Sequence, residues 1–280
     1  MVKIDNEPKT PDISLEEAKR FITNDLMPGS FAILAKYFRS KSLNIQSKGY
    51  VDIVTQADIE NENFLKNQLT NKYPQVHVLG EETGYSGEGS EELMWILDPL
   101  DGTVNFSRGQ ENFAVSIALV KRGVTKLGVV GIPRKNSIYW AQDDKEGVFE
   151  SSGEQLRTSD VTSLNTASFR CDWVYDAKTR MKLAKLMENV APQVRQILTG
   201  GSAVADILDV ASGRVDVYFN PGLKPWDIAA ACYMVEKAGG KVTTTSGKEW
   251  NAFEPDLIVS NGKTHDEFLQ IVQETKLFNS

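Results

Sequence analysis

Residues 95–106 read Trp-Ile-Leu-Asp-Pro-Leu-Asp-Gly-Thr-Val-Asn-Phe, an apolar run that passes directly into two closely spaced acids. A buried strand is predicted up to Leu97, followed by a turn at Pro99. Asp98 and Asp101 flank that turn, so both carboxylates can point into one space. Two carboxylates so close together repel each other unless a cation lies between them, and hard oxygen ligands at a strand end suit Mg²⁺ or Mn²⁺.

The residues that follow the second acid can bind an anion. If a helix begins at Gly102-Thr103, its free backbone N–H groups would face a phosphate. Asp-Pro and Asp-Gly are also common turn dipeptides, and an aspartate before a helix is a common cap. Taken alone, residues 98–102 stay open to both interpretations, and the turn is the more frequent of the two.

Three further acids lie at the edges of predicted elements, and each has an ordinary structural explanation. Glu81 follows an apolar strand, where an exposed acidic loop would account for it. Asp227 begins a long apolar helix, where it can simply offset the helix dipole. Asp58 lies three residues after Thr55, and a capping box explains this spacing equally well. Each acid is weak evidence by itself, but the order of the acids along the chain is more specific.

Four segments carry a resemblance to a known family: Val51-Asp-Ile-Val-Thr-Gln-Ala-Asp58, Gly80-Glu-Glu82, residues 95–106 and Gly222-Leu-Lys-Pro-Trp-Asp227. In order and spacing, the chain resembles the inositol monophosphatase family from its first helix to Gly240. The resemblance implies a layered αβαβα sandwich with mixed sheets, a homodimer and inhibition by Li⁺. It also implies two or three Mg²⁺ ions as the cofactor, with Mn²⁺ as a possible substitute.

The resemblance further implies which residues hold the metal ions. Glu81, Asp98 and the carbonyl of Leu100 would bind the first ion. Asp98 would be shared with the second ion, which Asp101 and Asp227 would also bind. Glu81 would reach a third ion through water.

Catalysis is implied to use a water activated by the metal ions. Thr103 and Asp58 would position the attacking water, and Glu81 is counted with them as a catalytic residue. The backbone of Gly102 and Thr103 would hold the phosphate. The chemistry is consistent with this assignment, because a carboxylate–hydroxyl pair can orient a water and two metal ions can lower its pKa. The chain has only two histidines, and no plausible Ser–His or Cys–His pair is available for covalent catalysis.

One of the residues that would contact the substrate departs from the pattern of inositol-specific members. Asn220 stands where such members usually have a glutamate, and an amide brings no charge to the substrate hydroxyls. Lys224 lies beside the expected leaving-group pocket, and Ser202 matches a substrate-contacting position at the start of a helix. A solvated loop lysine and an N-cap serine explain the last two equally well.

The predicted activity is Mg²⁺-dependent hydrolysis of a small phosphorylated metabolite, as in inositol 1-monophosphatases. Relatives with the same metal-binding residues act on histidinol phosphate, fructose 1,6-bisphosphate or 3′-phosphoadenosine 5′-phosphate, and the metal site does not distinguish these substrates. A metal- and phosphate-binding module without turnover is the alternative outside the enzymes. It is disfavoured because none of the expected acids is missing.

Composition narrows the partners and the compartment. The chain has 280 residues and a formal net charge of -7, so its overall field does not attract nucleic acid or anionic lipid. Its two cysteines give no disulfide framework, and no run is apolar enough to span a membrane or to act as a signal peptide. We therefore expect a cytoplasmic protein without nucleic-acid or membrane partners.

The order of helices and strands predicts an α/β fold in two parts. Residues 1–156 are predicted to form an α+β N-terminal half that carries most metal ligands. Residues 157–280 alternate strands with helices, which is typical of an α/β layer. This C-terminal half would carry Asp227 and the loops that set substrate specificity.

Three segments are predicted to interrupt the regular elements of the N-terminal half. Pro28-Gly29 should kink or break the first helix, because proline removes a helical hydrogen bond, and a second helical stretch should run to about residue 38. Residues 39–50 are polar and predict a mobile loop, and residues 85–92 are rich in Gly, Ser and Glu and predict an exposed loop.

Overall fold

The computed structural model describes residues 11–41, 43–49, 52–86, 92–254 and 256–278. The helices are α1 (Leu15–Phe21), α2 (Met27–Tyr37), α3 (Gln56–Lys72), α4 (Thr103–Ser107), α5 (Ala177–Val190), α6 (Ala203–Ala211), α7 (Pro225–Lys237) and α8 (His265–Thr275). A π-helical segment, Ile22–Leu26, joins α1 to α2, and short 3₁₀ turns cover Pro133–Lys135 and Leu164–Thr166. The strands are β1 (Ile45–Ser47), β2 (Ile53–Thr55), β3 (His77–Gly80), β4 (Gly84–Ser86), β5 (Leu93–Asp101), β6 (Ala114–Lys121), β7 (Val124–Ile132), β8 (Ser137–Gln142), β9 (Val148–Glu150), β10 (Gln155–Leu156), β11 (Ser168–Cys171), β12 (Gln196–Leu198), β13 (Val217–Pro221), β14 (Lys241–Thr244) and β15 (Asp256–Ser260).

An eight-stranded sheet organises the first part of the chain. Its strands lie in the order β10-β9-β8-β7-β6-β5-β3-β4, and only the β3–β5 pair is parallel. On β5, Trp95 and Leu97 pack in the core with α1, α2 and α3, whereas Met94 and Ile96 pack with α6 and α7. Successive side chains of a strand point to opposite faces, so β5 is apolar throughout because both of its faces are buried.

A second, five-stranded sheet lies on the other side of α6 and α7. Its order is β12-β11-β13-β15-β14, with parallel pairs around β11 and antiparallel pairs around β15. Helices α5 and α8 cover its outer face, where Leu183 and Phe268 pack with Phe169 and Phe219. The layers are therefore helix, sheet, helix, sheet and helix, and the predicted αβαβα sandwich with mixed sheets is confirmed.

Helix α7 is fixed tightly between the two sheets. Its residues from Ile228 to Val235 are buried, and a Cβ placed on Gly128 of β7 would lie 3.1 Å from the carbonyl oxygen of Ala230. Glycine at this position lets the strand and the helix backbone approach closely. The close contact fixes the first turn of α7, which contains Asp227.

Of the predicted kink or break at Pro28-Gly29, the break is wrong, because the chain is helical from α1 through α2. The irregularity is instead the π-helical segment, and Pro28 lies in the first turn of α2 just after it. A π-helical segment changes the hydrogen-bond register, so a residue without an N–H is tolerated there. Gly29 is needed for packing, because a Cβ at this position would overlap the ring of Phe64 in α3.

The predicted end of the strand at residue 97 is also wrong. Strand β5 continues to Asp101, and its pairing with β6 shifts register between Asp98 and Asp101. Proline is accepted in strands at such bulges because it has no N–H for the ladder. The Pro99 carbonyl oxygen accepts a hydrogen bond of 2.6 Å from Asn61 Nδ2, so the bulge is anchored to α3. The bulge, rather than a turn, sets the spacing of the two acids.

The predicted loops contain short strands. Within residues 39–50, β1 pairs with β2, and within residues 85–92 the strand β4 pairs with β3. Residues 42, 50, 51 and 87–91 lie outside the described residues. Strands β9 and β10 were not predicted at all, because runs of two or three residues carry no measurable periodicity.

The division into halves at residue 156 stays a prediction. The eight-stranded sheet ends with β10, yet one hydrophobic core joins it to α6, α7 and the five-stranded sheet. Cys171 and Cys232 are free and buried, as expected for small apolar residues. Over the described residues, none of the helices has both the length and the apolar character that crossing a membrane requires.

His265 is buried beneath the five-stranded sheet and makes the stability of the fold depend on pH. Thr243 Oγ1 lies 2.9 Å from its Nε2, and Ser260 Oγ lies 2.8 Å from its Nδ1. Burial, followed by the charge of Lys241, lowers the pKa of His265 to about 4. The unfolded chain therefore binds a proton below about pH 6.5 that the folded protein does not bind until about pH 4.

We expect the His265→Gln variant to remove part of this pH dependence. In the native protein, stability should fall from about pH 6.5 to about pH 4, and this one group should account for about 3 kcal/mol. The free energy of urea unfolding, measured at several pH values in this range, should have a smaller slope in the variant. Equal slopes would show that His265 is charged in the folded protein.

Candidate active site

Three carboxylates from two elements form a compact cluster. Asp98, Asp101 and Asp227 each offer one oxygen atom, and these three atoms lie within 4.8 Å of one another. Asp98 and Asp101 come from the bulged end of β5, and Asp227 comes from the first turn of α7. Asp98 is only 1% exposed. The arrangement matches a cation site whose ligands are all hard oxygen atoms.

The surrounding backbone holds two of these acids in place. Asp98 Oδ1 accepts a hydrogen bond of 2.9 Å from the Leu100 N–H. Asp227 Oδ2 accepts one of 2.7 Å from the Lys224 N–H, which caps the start of α7. Asp227 is therefore an acid of the first helical turn, as its structural explanation predicts, and this is compatible with a place in the cluster because a carboxylate accepts several bonds.

Asp101 is held by the start of α6. Its Oδ2 accepts a hydrogen bond of 2.8 Å from the Val204 N–H and another from the Ser202 hydroxyl, while its Oδ1 lies 3.3 Å from the Ala203 N. A carboxylate at a helix N-terminus is stabilised by the unpaired N–H groups and by the helix dipole. Ser202, predicted to contact substrate, thus serves Asp101 and also caps α6.

The acids of the cluster cannot all be ionised unless a cation lies among them. Burial raises the pKa of Asp227 to about 7 and that of Asp101 to about 6. The pKa of Asp98 lies well above its usual range, because of burial first and then the charges of Glu81 and Asp101. Buried like charges at this spacing are the usual surroundings of a divalent cation. The donor set therefore fits Mg²⁺.

Glu81 lies close to the cluster but does not belong to its three-atom group. Burial raises its pKa to about 8, Lys48 opposes this and the charge of Asp227 adds to it. Lys48 Nζ lies 3.2 Å from Glu81 Oε1 and 2.6 Å from Glu82 Oε1. The ammonium group of Lys48 therefore lies beside Glu81, the acid that the resemblance assigns to the first and third metal ions.

A hydroxyl and a buried carboxylate form a pair beside the cluster. The Thr103 hydroxyl lies 2.7 Å from Asp58 Oδ1 and 3.0 Å from the Leu100 carbonyl oxygen. Asp58 Oδ2 accepts a hydrogen bond of 2.8 Å from the Thr55 N–H, which completes the capping box of α3. Burial raises the pKa of Asp58, although the bonds from Thr55 and Thr103 oppose this. Asp58 is thus both a cap and the partner of Thr103.

Gly102 joins β5 to α4 in a conformation that glycine favours. Its φ is 93°, and a Cβ there would lie 3.0 Å from the Asn112 carbonyl oxygen and 3.1 Å from that of Gly201. The backbone of Gly102 and Thr103 can be so close to the acids because no side chain separates them. The short helix α4 follows, as the anion-binding interpretation requires.

The remaining predicted substrate residues lie at the end of β13 and beyond. Asn220 is 6% exposed, and its Nδ2 donates a 3.3 Å hydrogen bond to the hydroxyl oxygen of Tyr218. Its Oδ1 has no hydrogen-bond partner among the described residues. Lys224 is exposed at the start of α7. The structure therefore gives Asn220 an unused buried acceptor and leaves Lys224 in solvent.

Two functional contacts were not predicted. Asn105 Nδ2 donates to the carbonyl oxygens of Asn112 and Gly200, at 2.8 Å each, and so ties α4 to the turn before α6. The second is the ion pair of Lys48 with Glu81 and Glu82. Two features of the sequence could have indicated the contacts of Asn105: its place within residues 95–106 and the glycine pair at residues 200–201.

Comparison with known proteins places the chain in a family. The model of the inositol monophosphatase family matches residues 19–277. The chain is 37% identical over 232 residues to the fructose-1,6-bisphosphatase/inositol-1-monophosphatase of Thermotoga maritima, covering 82% of this chain and 87% of that one. It is 32% identical over 232 residues to a putative Nus factor SuhB of Neisseria meningitidis serogroup B, covering 82% and 88% of the two chains. Among solved structures, an IMPase of Thermotoga maritima superposes with a TM-score of 0.82 at 33% identity, covering 93% of this chain and 98% of that one.

The chain belongs to the inositol monophosphatase family, as its sequence predicted. Members of this family are metal-dependent phosphatases, so the chain is a phosphoric monoester hydrolase. The cluster of Asp98, Asp101 and Asp227 could hold a metal ion and is compatible with this class of enzyme.

Proposed function

We propose that this phosphatase hydrolyses a small phosphate monoester of the inositol 1-phosphate type with Mg²⁺ bound at Asp98, Asp101 and Asp227. The observation that carries the proposal is the approach of three buried or half-buried carboxylate oxygens to within 4.8 Å of one another. Structure alone gives no reason to gather such acids, because their mutual repulsion is unfavourable in the folded protein.

The proposed ligand sets follow the family pattern. Asp98 would join two ions, with Glu81 and the Leu100 carbonyl completing one site, and Asp101 and Asp227 completing the other. Once bound, Mg²⁺ would lower the pKa of a coordinated water and neutralise charge on the phosphoryl oxygens. Mn²⁺ prefers the same ligands, and a third ion would depend on Glu81.

The proposed role of Thr103 and Asp58 is to orient and deprotonate the attacking water. The Thr103 oxygen can accept a proton from the water while its own proton passes to Asp58 Oδ1, which lies 2.7 Å away. Burial raises the pKa of Asp58, which makes it a better proton acceptor than an exposed aspartate. Thr55 fixes the carboxylate, so the pair keeps its orientation.

Backbone groups would bind the phosphate in this proposal. The N–H groups of Gly102 and Thr103 lie next to Asp101 in the chain, and Gly102 carries no side chain that would block an anion. Hydrogen bonds from backbone N–H groups stabilise charge that develops on phosphoryl oxygens. The phosphate would therefore lie between these N–H groups and the bound cations.

The leaving group would lie toward Asn220, Lys224 and the start of α6. Asn220 offers a neutral buried acceptor, which suits a hydroxyl better than a second phosphate. This favours inositol 1-phosphate over fructose 1,6-bisphosphate, the other activity in the name of the Thermotoga maritima relative. Histidinol phosphate and 3′-phosphoadenosine 5′-phosphate are the further candidates. Ser202 would act on substrate only indirectly, because its hydroxyl binds Asp101.

Phosphate release from these four esters, with and without Mg²⁺, tests the proposal. We expect release only with Mg²⁺, fastest from inositol 1-phosphate, and inhibition by Li⁺. Fastest release from another ester would reassign the substrate. Tight binding of an ester without any release would instead support a binding module that has no turnover.

Lys48 should compete with cations at Glu81, because its ammonium lies 3.2 Å from Glu81 Oε1. We expect the Lys48→Met variant to reach half-maximal activity at an Mg²⁺ concentration about two- to fivefold lower, as suits a partly exposed charge. Lys48→Arg is the matched control and should behave like the native protein. An unchanged or increased Mg²⁺ requirement in Lys48→Met would contradict this competition.

The proposed setting is a homodimer in the cytoplasm with a small phosphorylated metabolite as its partner. The net charge of -7 supports the expectation that nucleic acid does not bind directly. One relative is named a putative Nus factor, so binding to a transcription complex is a second possibility for this chain. Light scattering would test the dimer, and a filter-binding assay with RNA would test the partner.

A further inference from the structure

A pair of buried acids lies beneath the turn that precedes α6 and does not belong to the group of three acids that forms the metal cluster. Asp206 of α6 is completely buried, and Asp172, just after β11, is 8% exposed. Asp172 Oδ1 accepts hydrogen bonds from the Gly201 N–H at 2.7 Å and the Gly200 N–H at 3.2 Å. Asp172 therefore holds the backbone of the turn directly.

Asp206 has one oxygen with partners and one without. Its Oδ1 accepts hydrogen bonds from Arg170 Nη1 at 2.8 Å and from Asn112 Nδ2 at 3.3 Å. Its Oδ2 has no hydrogen-bond donor among the described residues, and a neighbouring charged group is the carboxylate of Asp172. A buried, ionised oxygen without a donor is strongly unfavourable, so an ionised Asp206 is poorly accommodated here.

The two nearby arginines cannot neutralise Asp172, Asp206 and Asp209 together. Arg170 also binds Asp209 Oδ2 at 2.7 Å, so its charge is divided between two carboxylates. Arg214 contacts only Asp209 of this group. No positive charge among the described residues is paired with Asp172, which receives only neutral donors, including the Tyr218 hydroxyl at 3.3 Å.

We propose that Asp206 is protonated and donates its proton from Oδ2 to Asp172, so that the two acids form a clamp that positions the Gly200–Gly201 turn for catalysis. The proton gives the unpaired oxygen a partner and removes the repulsion between the two acids. Burial, together with the charge of Asp172 and a hydrogen bond to it, raises the pKa of Asp206 to about 9 although Arg170 opposes the shift. Asp172 then accepts bonds from Asp206, Tyr218 and two backbone N–H groups.

The clamp acts on the active site through the turn. Gly201 precedes Ser202, whose hydroxyl binds Asp101. The turn also contacts the backbone that would bind phosphate. A Cβ on Gly102 would lie 3.1 Å from the Gly201 carbonyl oxygen, so the turn packs directly against Gly102. Within the described part of the chain, no hydrogen bond joins Asp172 or Asp206 to the proposed metal ligands, so both are positioning residues. Their catalytic effect rests on the proposed function.

The expected pH dependence follows from the shared proton. As the pH rises through about 9, Asp206 loses this proton and two adjacent carboxylates face each other beneath the turn. The charged and titratable groups around the pair are Arg170 and Cys171 of β11, Asp209 of α6, Tyr218 of β13 and Asp101 beyond the turn. None of them replaces the lost proton, because the tyrosine already donates to Asp172 and the Cys171 thiol faces Met187.

Infrared spectroscopy of the Mg²⁺-loaded protein tests the shared proton directly. Near neutral pH, the native protein should show a carbonyl stretch of a protonated carboxylic acid, because the bound cations keep the metal acids ionised. This band should disappear in Asp206→Asn. It should also disappear in Asp172→Asn, whose amide can donate to Asp206 and allow it to ionise. Asp209→Asn is the matched control, and its spectrum should retain the band.

The rate of phosphate release tests the positioning. Asp206→Asn keeps a donor toward Asp172, so we expect near-native kcat at neutral pH and no loss of activity through about pH 9. Asp206→Ala removes the donor, and its kcat should fall roughly tenfold or more. A band that persists in Asp206→Asn, or equal kcat values for the two variants, would overturn the proposal. If the native protein releases no phosphate from any ester, the proposed function fails, while the infrared band still decides whether the proton is shared.

Discussion

Asp98→Asn should abolish metal-dependent phosphate release. Asp98 is the most deeply buried acid of the cluster and the one assigned to two ions, so its loss removes charge from both sites. A metal ion contributes several kcal/mol to transition-state stabilisation, which corresponds to a fall in kcat of roughly a thousandfold or more. Initial rates of phosphate release at saturating Mg²⁺ measure the effect.

The same variant should fold at least as well as the native protein when Mg²⁺ is removed. An amide in place of Asp98 relieves the repulsion from Glu81 and Asp101 that raises its pKa. Asp216→Asn is a matched control, because Asp216 is also buried but bonds to Ser159 and Ser168 outside the cluster. It should lose stability and keep kcat. Near-native turnover in Asp98→Asn would refute the assigned metal site.

Thr103→Val should give the second largest loss of activity. Valine keeps the shape of the side chain but removes the hydroxyl that bonds to Asp58 at 2.7 Å. Proton transfer by a positioned group contributes roughly a hundredfold to ten-thousandfold, so we expect kcat to fall within this range. Single-turnover measurements at saturating ester separate the chemical step from product release.

Thr103→Ser is the matched control for this variant. Serine keeps the hydroxyl and loses only a methyl group, so kcat should stay within about tenfold of the native value. The KM should change little in both variants, because the Thr103 backbone that would bind phosphate remains. Equal activity of the valine and serine variants would show that the hydroxyl does not take part.

The α/β class was predicted from the order of helices and strands, whereas the layered sandwich and the roles of the candidate acids came from the family resemblance. Apolar runs such as residues 93–97 mark strands that are buried on both faces, and the segments around Asp98 and Asp227 are specific in order and spacing. The bulge at Pro99 was not predicted, because a turn and a bulge place the same residues between the two acids. Only the pairing of β5 with β6 distinguishes them.

The missed features all depend on contacts between distant parts of the chain. The proximity of Lys48 to Glu81 arises from the β1–β2 hairpin, and no periodicity of the sequence indicates where that hairpin lies. The pairing of Asp172 with Asp206 arises when α6 packs beside β11. The continuous helix through Pro28 depends on a π-helical segment, which has no composition of its own.

The position of Asp227 between the two sheets sets when activity can first arise during synthesis. Asp98 and Asp101 leave the ribosome long before α7, which can take its place only after both sheets are present to cover it. Until then, two acids alone bind Mg²⁺ weakly, as in any exposed acidic turn. A nascent or truncated chain should therefore be inactive, and phosphate release can serve as an assay for completed folding.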